Sequence, residues 1–322
     1  MKPSFRVVLP LVGLMACMGD DPVAAPVVDA GGGEASVTDA GADAPSTAAC
    51  DPNKDFGPPV LVEELNSSFA EVGLSISEER NVAVLARRLP PLTLLEGRRT
   101  ASGTFGPLTP LNVEVDAGAA DRDYPEVAIS SDGLLLALGS SIRSYPPTDM
   151  LLATRPSVEA PFGPPEVIVS GTGLLEFGGN SPAFSRDGAT LYFVAPSFAA
   201  TSGGTKRPLM QAKRTGRVLA APVEITEHDP GSFAISSDER VLYWSLGKGI
   251  RRAVRADTSA RFGLGETVES LSFGTAPPDD AGPSRPTNIL VAFVTNDDCS
   301  IYLIARSSDA RREDIYVAKR PK

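Results

Sequence analysis

Residues able to do acid, base or metal chemistry are few in this chain, and their spacing narrows what they could do. The single histidine, His228, stands between Glu227 and Asp229 in Thr-Glu-His-Asp-Pro. Such a triplet could ligate a metal or relay a proton. With no second histidine and no available cysteine, however, the usual zinc sets cannot be built. The triplet is read as a surface loop ahead of a strand, with the metal or base role as the alternative. Acid pairs occur at Asp121-Arg-Asp123, at Asp279-Asp280 and in Asn296-Asp297-Asp298. Two carboxylates converging in a concave site would suit glycoside hydrolysis. A calcium shell at Asp279-Asp280 needs about six to eight oxygens, and the loops show no regular ligand spacing. A Gly-x-Ser-x-Gly nucleophile elbow and a phosphate-binding glycine loop are both missing. No catalytic residue, cofactor or metal is assigned from these patterns.

The elements that would position any of these groups are short strands. Ser181-Pro-Ala-Phe-Ser-Arg-Asp-Gly-Ala-Thr-Leu-Tyr-Phe-Val-Ala195 reads as two strands joined by a polar turn. Leu191 to Val194 has the β-branched and aromatic character of a buried strand. Ser185 and Asp187 can accept bonds from nearby backbone N–H groups, and Gly188 tolerates positive φ. The unit recurs at Ile129-Ser-Ser-Asp132-Gly133 and at Ile235-Ser-Ser-Asp238-Glu239, with weaker copies at Ile76-Ser-Glu-Glu-Arg80 and Val294-Thr-Asn-Asp-Asp298. First positions 76, 129, 184, 235 and 294 differ by 53, 55, 51 and 59 residues, a period suited to a four-stranded propeller blade with long loops. The turn acids Asp132, Asp187 and Asp238 are therefore assigned to holding hairpins.

Two further elements keep the same period. Phe56-Gly-Pro-Pro, Phe105-Gly-Pro-Leu, Phe162-Gly-Pro-Pro and the looser Phe262-Gly-Leu-Gly each precede a short apolar run. Strands of the type Met150 to Arg155, Leu209 to Arg214, Ile250 to Val254 and Ile315 to Arg320 lie between hairpin and Phe-Gly element. The predicted fold is all-β: a propeller of five four-stranded blades, with six as the alternative count. The basic pairs Arg87-Arg88, Arg98-Arg99, Arg251-Arg252 and Arg311-Arg312 are read as solvated strand ends. Tyr192, Phe193, Tyr243, Trp244 and Tyr302 fall on the second hairpin strand and are expected in the core between blades.

On these residues, Ser181 to Ala195 above all, the chain resembles the WD40-like (PD40) repeat of TolB-type periplasmic β-propellers. The resemblance runs over roughly residues 56 to 322. It implies architecture rather than activity, because propellers host binding proteins and enzymes alike. The chain departs from TolB-type proteins in offering five units and no room for their additional N-terminal α/β domain.

Residues 1–17 carry Lys2 and Arg6 ahead of the apolar run Val7 to Met15, the pattern of a secretory signal. Leu14-Met-Ala-Cys17 resembles a bacterial lipobox, which makes Cys17 the expected lipidation site; an ordinary secretory signal is the alternative. Residues 18–52 are rich in Ala, Gly, Asp and Pro and read as a disordered tether, leaving 53–322 for the propeller. Of three cysteines, Cys50 and Cys299 would remain as a pair in an oxidising compartment. Cys50 precedes a segment that reads as the last strand of an incomplete blade, and Cys299 lies in the final, equally incomplete copy. The N-terminal strand around Leu61 is thus expected to complete the C-terminal blade beside Ile315 to Ala318, removing two sheet edges. A Cys50–Cys299 disulfide would clamp that closure, two separate thiols being the other outcome.

The net charge of −10 argues against nucleic acid as a partner, since phosphate binding needs a basic surface. Together these features lead to the expectation of a lipid-anchored outer-membrane protein facing the periplasm or the cell surface. It is expected to be a monomer, to lack enzymatic activity, and to bind protein or peptidoglycan-associated partners as a non-catalytic scaffold. The alternative is a glycan-binding or glycan-processing propeller with acids in its axial channel.

Overall fold

The computed structural model describes residues 50–89, 92–111, 113, 126–139, 150–170, 180–195, 207–226, 228–247, 249–271, 288–306 and 312–322. Cys17, the tether up to residue 49, Asp121, Asp123, Asp279 and Asp280 lie outside them.

Five antiparallel sheets form a five-bladed propeller. The inner strands are Ala70–Ser77, Glu126–Ile129, Asn180–Phe184, Phe233–Ile235 and Asn288–Val294, and each packs beside the next around the ring. The middle strands are longer and almost wholly buried. The outermost strands are two residues each, such as Thr109–Pro110 and Glu266–Thr267. Blade 3 carries one elaboration: Val169–Ser170 pairs in parallel with Val218–Leu219, beside the usual outer strand Val223–Glu224. The ring closes as the sequence predicts, with Val60 opposite Val317 and Leu61 opposite Tyr316 in antiparallel register. Cys50 and Cys299 are joined by a disulfide with Cα atoms 5.5 Å apart. It spans the closure, and tying a loop of this length removes about 5 kcal/mol of unfolded-state entropy in the chain-entropy model. The segment before the first inner strand forms a short 3-10 turn at Glu63–Leu65, where the repeat alone suggests strand and loop.

Each gap between neighbouring blades is filled by its own apolar cluster. Tyr192, Trp244, Phe233 and Phe262 meet between blades 3 and 4, and Tyr243 packs with Phe56, Ile289 and Leu303 between blades 4 and 5. Alternation along every strand makes this possible, since successive side chains point to opposite neighbours.

The hairpin turns repeat one hydrogen-bond set. Ser130 Oγ donates to Asp132 Oδ1 and accepts from Leu135 N, while Asp132 Oδ1 also accepts from Leu134 N. Ser185 with Asp187, Ser236 with Asp238 and Thr295 with Asp297 do the same. The residue after each acid takes positive φ: Gly133, Gly188, Glu239 and Asp298, with Asn81 in blade 1. Only the first two are glycines, so the others hold a left-handed backbone against the Cβ clash.

A correction concerns the arginines. Read from sequence, the pair Arg98-Arg99 is a solvated strand end; in the fold Arg99 is a clasp, as are the arginines ending the other third strands. Arg155 Nε donates to Gly133 O, Arg214 to Gly188 O, Arg255 to Glu239 O and Arg320 to Asp298 O, each tying the third strand to its own blade's turn. Their guanidinium planes cover the phenylalanines of the Phe-Gly elements: Arg99 over Phe105, Arg155 over Phe162, Arg255 over Phe262 and Arg320 over Phe56, at 4.0 to 5.0 Å. Blade 3, which has no Phe-Gly element, uses Phe184 under Arg214. Four of the five also reach the preceding blade. Arg99 donates to Tyr302 Oη, Arg320 to Tyr243 Oη, Arg255 to Tyr192 Oη and Arg155 to Glu96. Arg87 likewise pairs at 2.9 Å with the fully buried Glu71.

Two stability measurements follow from these contacts. Arg255, 2 % exposed, leaves the Glu239 carbonyl and the Phe262 face unpartnered when replaced. Arg255→Met is expected to lower the unfolding free energy in urea by about 3 kcal/mol; a change under half a unit would deny the clasp its role. Asp298 is pushed up to about 6, first by burial and then by repulsion from Asp238. Its folded form holds the proton more tightly than its unfolded form, so stability falls as pH rises from about 4 to about 6. Asp298→Asn should flatten the thermal-denaturation midpoint across that window, and an unchanged slope would count against the assignment.

Candidate functional site

One position in the repeat faces the axis at the end where the inner strands begin. It lies three residues before the first apolar residue of each hairpin motif: Gly73, Glu126, Ser181, Ser232 and Val291. All five line a single cavity of about 200 Å³, with Arg88 and Glu313 completing its polar wall. Small or short residues at most of these positions leave the space open, and the two carboxylates supply its chemistry.

Three inner strands are irregular at this pocket. The ladders slip at Val72, at Ser181 and Pro182, and at Ala292, and each of these residues lines the cavity. A bulge breaks the strict alternation of a strand and re-aims backbone and side chain. Ser181 shows the result: its φ is +52°, and its N–H points to the Glu126 carboxylate across the gap between blades 2 and 3. Ser181 Oγ leans toward Gly231 O, and Ser232 Oγ accepts from Val291 N at 2.9 Å. Each of these bonds runs from one blade to the next, so the same ring of positions shapes the pocket and ties blades together.

Glu126 opens its strand opposite Gly139. A Cβ on Gly139 would lie 3.3 Å from the Glu126 carboxylate and 3.1 Å from Pro182, so the glycine is the floor on which the acid rests. Burial pushes the Glu126 carboxyl above the usual carboxylate range, against the Ser181 N–H and the nearby Arg207 that favour its ionised form. Glu313 is 14 % exposed; its Oε1 stands 3.9 Å from Arg306 Nε, and its Oε2 is buried without a hydrogen-bond partner among the described residues. A carboxyl that burial raises above its ordinary range, beside a second acid with an unengaged oxygen, pairs a candidate donor with a candidate acceptor for proton transfer.

The residues singled out in the sequence are placed elsewhere. Asp132, Gly133, Asp187, Gly188 and Asp238 sit in hairpin turns at the opposite mouth of the axis. Asp132 and Asp187 there border a more open cavity of about 530 Å³ together with Arg186 and Glu239. Their carboxylates are occupied by serine hydroxyls and backbone N–H groups, which is why they recur. His228 stacks on Trp244 at 4.6 Å, and Asp229 caps Gly231 N, so the two serve local packing and a turn; Glu227 lies outside the described residues. Among the described residues no group of three or more His, Cys, Asp or Glu is arranged to hold a metal ion. Glu126, Ser181, Ser232, Arg88 and Glu313 carry no motif of their own. The signal for the first three was the repeat itself, taken three residues upstream of each hairpin motif. Arg88 and Glu313 belong to other strands and have no such signal.

No family model matches the chain, and no curated protein matches it. Solved structures do. A gluconolactonase from Xanthomonas campestris is 12 % identical over 83 % of this chain and 96 % of its own, with a TM-score of 0.40. An α-L-arabinofuranosidase from Podospora anserina, in complex with cellotriose, is 11 % identical over 84 % and 98 %, with a TM-score of 0.47. A glycosyl hydrolase from Bacteroides ovatus is 11 % identical over 82 % and 93 %, with a TM-score of 0.49. At these identities the likeness concerns the propeller fold. The non-catalytic scaffold and the absence of enzymatic activity expected from sequence are nevertheless corrected. What overturns them is this chain's own axial pocket, which is lined by the two acids Glu126 and Glu313.

Replacing the floor of the pocket tests its construction. Gly139→Ala is expected to cost about 1 to 3 kcal/mol by overpacking and to move the Glu126 carboxyl toward water. Its titration, followed by carbon NMR of labelled glutamate, should shift down toward the ordinary range. Unaltered titration would show that Gly139 does not set the site of the acid.

Proposed function

We propose that the protein is a sugar-processing propeller that takes a single sugar ring into the axial pocket and hydrolyses the bond linking it to the rest of the substrate. The observation that carries this reading is that Glu126 and Glu313 line one cavity of about 200 Å³. In the proposed step Glu126, whose carboxyl burial raises above the usual range, donates its proton to the leaving oxygen as the glycosidic C–O bond breaks. Water attacks the same carbon, and Glu313 accepts the proton that water releases. Ser181 and Ser232 stand where ring hydroxyls would need partners. One proton enters and one leaves, so the pair must exchange its protons with solvent before the next turnover.

We further propose the setting: export, lipidation at Cys17, and a tether over residues 18–52 that holds the propeller at the outer membrane. The repeats are proposed to be of the PD40 type. What supports this is the lipobox-like Leu14-Met-Ala-Cys17, the composition of the tether and the Ser-x-Asp-Gly units, together with a disulfide suited to an oxidising compartment. A glycan substrate would be at hand in that setting.

The test is a panel of aryl glycosides and cell-wall oligosaccharides assayed with the mature chain and with Glu126→Gln and Glu313→Gln. Each variant is expected to lose about 100-fold or more in kcat while keeping sugar binding in the pocket. The reading fails if the wild-type chain neither binds nor turns over any member of the panel, or if both variants remain fully active.

A further inference from the structure

We infer that Arg88 selects a sugar unit carrying a carboxylate, so that the substrate class is an acidic glycan. The inference deepens the sugar-processing reading and rests on it. Arg88 is the last residue of the strand Val82–Arg88, opposite Ala70, and its exposed side chain borders the axial pocket. Among the described arginines it is the one with no hydrogen bond, ion pair or ring contact. Its neighbour Arg87 is committed to Glu71, the third-strand arginines to turns and phenylalanines, and Arg98, Arg217, Arg252 and Arg312 to surface acids. In a chain with 40 acidic against 30 basic residues, an arginine left unpaired at the wall of a pocket is out of keeping with the general pairing.

The chemistry it would recognise is specific. A guanidinium presents a planar fork of donors that meets a carboxylate with two parallel hydrogen bonds, a match a neutral hydroxyl cannot make. The rest of the wall is compatible with an anion. Ser181 and Ser232 are neutral, Arg207 adds positive charge near Glu126, and burial raises the Glu126 carboxyl above the usual carboxylate range, which weakens its repulsion of an anion. Glu313 is the one lining acid placed to repel a carboxylate, and Arg306 stands beside it. A ring seated between the serines with its carboxylate on Arg88 would keep that charge away from the two acids that act on its linkage.

The experiment is isothermal titration calorimetry on the mature chain with matched methyl glycosides, glucuronide against glucoside and galacturonide against galactoside. At least one acidic sugar should bind ten-fold or more tightly than its neutral counterpart. Arg88→Gln should bring the ratio of acidic to neutral affinity to about one, and Arg88→Lys should retain part of the preference. Equal affinity within both pairs, or a preference that survives in Arg88→Gln, would overturn the inference and leave the sugar-processing reading standing. Binding of none of the four would overturn both.

Discussion

Every blade depends on one arginine that is asked to do up to three things at once. Its guanidinium covers an aromatic ring in every blade, bonds the carbonyl of its own hairpin turn in blades 2 to 5 and, in four blades of five, reaches a side chain of the blade before it. Burying a guanidinium is costly unless its donors are satisfied, and here the satisfied geometry exists only when third strand, turn and neighbouring blade are all in register. The clasp therefore acts as a check on assembly as well as a source of stability. A propeller needs such a check because its blades are near-copies, and apolar packing alone would tolerate several registers.

The exception is informative. Between blades 2 and 3 the described contacts of Arg214 stay within blade 3; the gap is crossed near the axis by the bond from Ser181 N–H to the Glu126 carboxylate and at the rim by the Arg217–Glu166 ion pair. The carboxyl thus stands in a seam that is held from the pocket side. It is kept in place by a glycine floor and by a bulged strand with a left-handed serine, the last two departing from ideal strand geometry. Departures of this kind persist where the surrounding structure over-determines them, and they gather at binding and catalytic sites. At the opposite mouth the turns repeat one hydrogen-bond set that occupies Asp132, Asp187 and Asp238, although Glu239 and Asp298 hold a left-handed backbone there.

Ring closure connects the two ends. The first described strand, Val60–Leu61, completes the last blade, and the disulfide from Cys50 to Cys299 lies beside the turn where Arg320 bonds Asp298. Closure brings blade 5 against blade 1, and with it Glu313 and Val291 into the same cavity as Gly73 and Arg88. The pocket belongs to the closed ring and to no blade taken alone.

Period, turn chemistry and strand character are local properties, and they were legible. Ser185, Asp187 and Gly188 announce their hairpin by hydrogen-bonding capacity and allowed φ, five such units at one spacing call for blades, and an orphan strand at each end of the array calls for closure. The arginines were legible only in part: their recurrence could be seen, but a charged residue at a strand end looks the same whether it meets water or a phenylalanine some seven residues on. The pocket was not legible. Glu126 has no motif, and a strict alternation of strand residues does not anticipate the bulges that turn Ser181 and Val72 to the axis. A carboxyl's chemistry depends on what lies within a few ångströms of it, and the chain brings Glu126, Ser181, Arg88 and Glu313 together from four blades. The sequence by itself determined the repeating unit and the way its ends must meet, because those follow from neighbours along the chain. Only the tertiary structure decided which acids share a cavity and which of them burial pushes upward, because burial and convergence are properties of the closed ring.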